Sequence, residues 1–310
     1  MRVLVTGASG FVGSVLVSRV AATPAWEVRA VCRTPPSPPP AGIDWRAGPE
    51  LGPDADWRPL LAGVDVVVHL AARVHVMNQA GASAAEHFSR TNVEGTRRLA
   101  VQAAGAGVRR FVFLSSVKVN GEEGRFDEDS PAAPVDPYAG SKSEGETVLR
   151  DMARASAIET VILRPPLVYG PGVKANFLSL LNAVRRGIPL PFGAIANRRS
   201  LVNVDNLVDL IVVCLDHPAA ASETFMVSDG EDLSTPDLVR RLAAAAGCRA
   251  RLVPVPRWGL RLAGALSGRS QAIERLTGSL QVDIAKAQRV LGWEPPFSVD
   301  EGLRKAAGHR

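Results

Sequence analysis

The chain is poor in the residues that make covalent or metal frameworks. Three cysteines stand among 310 residues, at Cys32, Cys214 and Cys248, far apart and without a C-x-x-C pair. That pattern excludes a disulfide scaffold and a thiolate zinc or redox site, leaving the thiols as packing residues of a reducing compartment. The histidines show no metal-ligand spacing. His69 and His75 read as a strand-end and a loop residue, and no metal is expected.

Long apolar runs are missing too. None reaches the roughly 18 residues of a membrane span, and Arg2-Val3-Leu4-Val5 enters a strand without a signal-like segment. A cytoplasmic protein with no membrane partner is expected. Blocks of like charge are also absent. The formal net charge of +5 comes from arginines spread along the chain, which gives weak ground for nucleic acid, so none is expected as a partner. An anionic small substrate explains the excess as well. No internal repeat is found.

What is present is an alternation of short β-branched runs with helical stretches over residues 1–165, the pattern of an α/β, Rossmann-like doubly wound parallel sheet. Strands are predicted at Val3–Thr6, Val28–Cys32, Ile43–Arg46, Val64–Leu70, Arg110–Ser115 and Thr160–Arg164, with helices at Gly13–Ala22 and Ala84–Ala104. Gly105 is the expected cap of the second helix. The proline-rich run Thr34–Pro40 fits neither a helix nor a central strand and is expected as a surface loop. Beyond residue 165 the helices Ala175–Arg186, Asp205–Asp216 and Pro236–Ala246 stand apart among longer loops, indicating a smaller C-terminal substrate lobe. This lobe is assigned 166–199 and 228–310, with 200–227 returning to the first domain.

After the first strand comes Thr6-Gly7-Ala8-Ser9-Gly10-Phe11-Val12-Gly13, at a strand–helix junction. Glycine permits the tight turn at Gly7, backbone approach to a pyrophosphate at Gly10 and close helix packing at Gly13. The spacing is G-x-x-G-x-x-G, not the more familiar G-x-G-x-x-G. The second strand ends at Arg33 with no acidic residue beside it. An arginine there suits a ribose 2′-phosphate and an acid a 2′-hydroxyl, so NADP(H) is favoured, with NAD(H) the alternative.

Asp136-Pro137 reads as a helix cap and first turn, which puts Tyr138 and Lys142 one turn apart on one face. An ammonium near a phenol favours the phenolate, and this would bring Tyr138 from about 10 towards the working range of a general acid or base. With two tyrosines and five lysines in the chain, a Y-x-x-x-K pattern arises by chance in roughly 3% of such compositions. Ser115-Ser116 closes the fifth strand at the ligand-binding edge, where either hydroxyl could hold a substrate oxygen.

Together these motifs resemble the extended short-chain dehydrogenase/reductases, in particular the NAD-dependent epimerase/dehydratase family acting on nucleotide sugars. Val68-His69-Leu70-Ala71-Ala72, Thr91-Asn92-Val93-Glu94-Gly95-Thr96 and Arg164-Pro165-Pro166-Leu167-Val168-Tyr169-Gly170 extend the likeness almost end to end. The resemblance implies a catalytic triad of Ser116, Tyr138 and Lys142. The cofactor would be lined by Gly7, Ser9, Gly10, Phe11, Val12, Gly13, Arg33, Leu70, Ala71, Ala72 and Pro165, together with Tyr138 and Lys142. Substrate residues implied are Arg73, Ser116, Asn176, Phe177, the phosphate-binding Arg199 and, more loosely, Arg275.

The family's 4,6-dehydratases carry Asp-Glu where this chain has Val117-Lys118, which disfavours dehydration. Segments at 72–77, 118–121 and 275–280 are similar to bacterial reductases forming UDP-N-acetylquinovosamine. Reduction of a UDP-4-keto-6-deoxy-N-acetylhexosamine is thus the expected reaction, with 4-epimerisation of UDP-glucose or UDP-N-acetylglucosamine the alternative. A non-catalytic nucleotide sensor is the reading from another class; the intact triad speaks against it. The resemblance also implies a homodimer, formed through the helices at 84–104 and after Asp136.

Overall fold

The computed structural model describes residues 1–74, 82–268 and 270–308. Seven strands form a parallel sheet: β1 (Arg2–Thr6), β2 (Glu27–Cys32), β3 (Asp44–Ala47), β4 (Val66–His69), β5 (Arg110–Leu114), β7 (Glu159–Arg164) and β10 (Thr224–Met226). Their order is β10-β7-β5-β4-β1-β2-β3. The chain runs outward from β1 to β2 and β3, then crosses back to β4 on the other side of β1. That reversal opens a crevice above the carboxyl ends of β1 and β4, where open α/β sheets bind ligands.

The apolar runs explain the burial. Val66, Val67 and Val68 of β4 are inaccessible on both faces because helices cover the sheet from either side. One core joins β1, the first helix (Phe11–Ala21) and the helix Val204–Asp216, and a second lies under the opposite face around Leu4, Leu99, Phe111 and Leu149. The run Thr34–Pro40 forms neither helix nor strand, as its prolines require.

The remaining strands, β6 (Gly124–Phe126), β8 (Leu167–Tyr169), β9 (Arg199–Asn203), β11 (Asp232–Leu233) and β12 (Leu280–Val282), build a second sheet in the order β11-β9-β12-β6, with β8 beside β9. Its core packs Tyr169, Phe177, Leu201, Val239 and Leu303. A smaller cluster of Phe192, Ile195 and Leu260 sits under the helix Arg257–Ser267.

Two local expectations change. The helix predicted over 84–104 is three segments: a helix over Ala82–Phe88, a π-helical stretch over Ser89–Glu94, and a helix over Gly95–Gly105. Its end is capped by Ala106, with positive φ at Gly107 and not Gly105. The wider turn carries Asn92, whose amide clamps the backbone N–H and C=O of Arg73 at 2.8 and 3.0 Å and donates to Ser141 Oγ at 2.9 Å. Hydrogen bonds to fixed partners on two sides favour the bulge over an uninterrupted helix. His75 lies outside the described residues.

Candidate active site

The glycine loop is built for close approach. Gly7 has φ +68°, and a Cβ there would stand 2.9 Å from the Ala71 nitrogen, while one on Gly13 would stand 2.1 Å from the Gly7 carbonyl. Side chains at these positions would push the loop off β4 and the helix off β1. The first helix opens at Gly10 with no side-chain cap. Its leading N–H groups and positive dipole end therefore face the crevice, an arrangement that fits a pyrophosphate. A dinucleotide is accommodated by the residues present.

The crevice is a cleft of about 790 Å³. Gly7, Ser9, Gly10, Phe11, Val12, Gly13, Arg33, Leu70, Ala71, Ala72, Arg73, Tyr138 and Lys142 all line it. Pro165 does not. It is buried behind the cleft, where its carbonyl accepts the Val117 N–H at 3.0 Å. Sequence reasoning missed Glu50, Leu51, Trp57 and Thr91, which also line the cleft. The signal for Glu50 and Leu51 was their place just after β3, at the sheet's carboxyl edge. Glu50 supplies an acid on the wall that Arg33 shares, although β2 itself ends without one.

The helix Pro137–Ala155 carries Tyr138 and Lys142. Asp136 caps it as expected, its Oδ1 accepting the Ala139 N–H at 2.7 Å, with Pro137 in the first turn. The expected lowering of the phenol does not occur. Burial, reinforced by Asp136, pushes Tyr138 up to about 12. Burial likewise brings Lys142 down to about 7, its ammonium donating to the Leu114 carbonyl at 2.8 Å and lying 4.4 Å from the Phe113 ring centre. The lysine is thus held by the end of β5, and burial with the Asp136 charge sets the phenol.

The structure also separates the two serines. Ser115 is buried and donates to Glu146 Oε1 at 2.5 Å. Glu146 is gripped by Arg164 at 2.6 and 2.9 Å, and by Arg150 at 2.7 Å. Ser115 is therefore committed to structure. Ser116, half-buried, begins the short turn Val117–Val119; the cleft lining includes Ser115 and not Ser116, and among the described residues the Ser116 Oγ accepts the Lys118 N–H at 3.2 Å.

Beyond Ser116 the charges gather. Lys118 Nζ lies 2.6 Å from Asp136 and 2.8 Å from Glu122, and Arg275 stands 3.9 Å from Glu122. Arg199 donates to the Gly278 carbonyl at 3.0 Å, and burial holds its guanidinium below the ordinary value against the pull of Glu122 and Glu123. The fold thus draws Arg199 and Arg275 to one acidic pair from positions 76 residues apart in sequence. Asn176 is exposed on the helix Ala175–Arg185. Phe177, expected at the substrate, turns its ring into the lobe's core and stacks on Tyr169 at 5.3 Å.

Residues 3–228 match the model of the NAD dependent epimerase/dehydratase family. The UDP-glucose 4-epimerase of Vibrio cholerae is 46% identical over 310 aligned residues, covering 98% of this chain and 94% of that protein. Among solved structures, MoeE5 in complex with UDP-glucuronic acid and NAD is 27% identical with a TM-score of 0.79, covering 99% of this chain and 98% of that one. The fold is also that of UDP-glucuronic acid 4-epimerase from Bacillus cereus in complex with NAD, at a TM-score of 0.81 and 23% identity, covering 100% and 98% of the two chains. With its glycine cradle, its Tyr138–Lys142 helix and a family match over most of its length, the chain belongs to the NAD dependent epimerase/dehydratase family.

Proposed function

We propose that the chain is a UDP-sugar 4-epimerase working with NAD, with Ser116, Tyr138 and Lys142 as its catalytic residues. The observation that carries this reading is the near full-length likeness to the Vibrio cholerae UDP-glucose 4-epimerase. It supports 4-epimerisation, the alternative weighed from the sequence, better than the reduction expected there, and NAD better than NADP(H).

NAD, held along the Gly7–Gly13 loop and by Ala71 and Ala72, would supply hydride acceptor and donor chemistry at the sugar's C4. The chain's own residues manage the proton and the geometry. Tyr138 exchanges a proton with the C4 oxygen, and Ser116 donates its hydroxyl proton to hold that oxygen in place. Lys142, drawn towards the end of β5 by the Leu114 carbonyl, reaches into the same cleft and holds the ribose next to the reacting ring. Arg199 and Arg275 take the diphosphate, a task that suits the guanidinium fork. Asn176 serves the uridine from the exposed face of its helix. The division into a cofactor domain (1–165 and 200–227) and a substrate lobe (166–199 and 228–310) is proposed from these roles, with the exception that β6 and β9 join the second sheet; a homodimer through the helical run 84–104 and the helix Pro137–Ala155 is proposed from the family likeness.

One observation favours a second reading. Arg33 lines the cleft at the end of β2, where a 2′-phosphate would sit, so an NADPH-dependent 4-ketoreductase shares the same triad. The two part in one experiment. The pure protein is incubated with UDP-glucose, and separately UDP-N-acetylglucosamine, with no added cofactor, and in parallel with NADPH and UDP-4-keto-6-deoxy-N-acetylglucosamine. Epimer formation in the first arm without loss of NADPH in the second is the expected result. The opposite pattern makes it a reductase. Tyr138→Phe is expected to lower either turnover by about 10²- to 10⁴-fold; full activity in that variant would remove the catalytic assignment.

A further inference from the structure

The helix Arg257–Ser267 has two apolar faces where one suffices. Leu260 is 3% exposed and packs on Phe192 and Ile195. On the other side Trp258, Leu262 and Leu266, spaced four apart and so aligned on one face, are 72%, 56% and 82% exposed. Large apolar side chains in a row on the outside of a helix mark a surface that meets something. Val253, which leads into this helix, and Ile188, beside it through the Leu190–Leu252 bridge, are exposed as well.

Charge decides what that something is. Residues 185–199 and 249–276 hold one acidic residue, Glu274, and ten arginines, of which Arg199 and Arg275 belong to the substrate cluster; the rest of the chain holds 26 basic and 30 acidic residues. The two stretches are distant in sequence, yet the fold joins them. Leu190 N–H donates to the Arg251 carbonyl at 2.8 Å, and Val253 N–H to the Leu190 carbonyl at 2.9 Å. Arg249, Arg251, Arg257 and Arg261 are all exposed.

We propose that this face rests on an anionic lipid surface, with Trp258, Leu262 and Leu266 in the headgroup layer and the surrounding arginines on lipid phosphates. An amphipathic helix bearing a tryptophan–leucine stripe beside arginines binds lipid through both terms together, apolar burial and attraction to anionic headgroups. A second copy of the chain is the poorer occupant, since a two-fold contact would press two arginine-rich faces together. Nucleic acid would use the charge and leave the stripe in water. The contact is superficial: no helix among the described residues is long and apolar enough to cross a membrane.

The face also adjoins the substrate cluster. Arg257 pairs with Glu123 at 3.1 Å, next to the Glu122 that faces Lys118 and Arg275. Docking would thus set the substrate side of the cleft at the lipid boundary.

The test uses the full chain and vesicles of phosphatidylcholine, alone or mixed with phosphatidylglycerol, followed by co-sedimentation across a salt series. Binding to the mixed vesicles, fading as salt rises and weakened at least ten-fold by Trp258→Ser with Leu262→Ser and Leu266→Ser, is the expected result. Arg251→Glu with Arg261→Glu is expected to lower binding similarly. All five positions are exposed, and unchanged thermal melts check that the variants fold. Failure to bind mixed vesicles at low salt overturns the proposal. So does binding that the stripe variant retains in full, a dimer that the variant dissociates, or a DNA duplex held equally by chain and variant. None of these readouts depends on the reaction catalysed.

Discussion

Lys118 Nζ lies 2.6 Å from the Asp136 carboxylate that caps the helix bearing Tyr138. Its backbone N–H also meets Ser116 Oγ, so one residue spans the serine turn and the tyrosine helix. Asp136→Ala removes both the cap and the ion pair and is expected to cost about 1–2 kcal/mol in urea unfolding. Asp136→Asn keeps a capping oxygen and costs less. Lys118→Met leaves the cap intact, so it is expected to lower turnover more than stability. An Asp136→Ala chain as stable as the native one would count against the cap.

His69 is a buried neutral histidine. Thr96 Oγ1 donates to the Asn92 carbonyl at 2.6 Å and so accepts from His69 Nε2, while Thr6 Oγ1 accepts the Ala71 N–H and turns its proton to Nδ1 at 2.7 Å. Burial, with the Lys142 charge, brings it down to about 3 from 6.5. Between those values the unfolded chain binds the extra proton, so stability falls as pH drops from 6.5 towards 3. His69→Gln is expected to flatten that slope in a series of denaturant melts.

Lys142 works on the alkaline side. Burial holds it at about 7 against an ordinary 10.5, so from pH 7 to 10 the folded chain carries fewer protons than the unfolded one. Its contribution to stability therefore rises with pH across that window. Lys142→Met is expected to abolish turnover yet melt later than the native chain near pH 6, with the difference shrinking by pH 10.

Glu146 and Arg164 form a buried pair that anchors Ser115. Removing one partner strands the other charge, so Glu146→Ala is expected to cost about 3–5 kcal/mol, with Arg164→Met similar and the double variant recovering part of the loss. A double-variant cycle in urea measures the coupling. Additive single effects would show that the pair is not coupled.

Much of this was legible in the chain. Six of the seven strands of the central sheet are marked in the sequence, most of them by short β-branched runs, because a strand buried on both faces must be largely apolar; the edge strand β3, Asp44-Trp45-Arg46-Ala47, is half exposed. The glycine loop and the Asp136 cap are likewise local, set by backbone freedom and a side chain two or three residues away. Glu50 was legible only in part, its position after β3 marking the sheet's carboxyl edge but not the cleft wall. It stands in an irregular loop whose place at the cleft depends on where β3 pairs. The π-helical turn was hidden too, since Asn92 obtains its partners from Arg73 and Ser141, which are distant in sequence.

The amino-acid order alone marks the strands, the glycine loop and the tyrosine–lysine spacing, since each signal lies within a few residues, whereas the pairing of the strands joins residues as distant as Val3 and Val66. Tertiary structure decided what those groups experience. Desolvation raises Tyr138 and lowers Lys142, Glu146 takes Ser115 out of play, and Phe177 is turned inward. It also left Arg249, Arg251, Arg257 and Arg261 exposed on and just before a helix with a bare apolar stripe. Burial, dielectric and surface charge belong to the packed chain, because they depend on which distant residues the fold brings near.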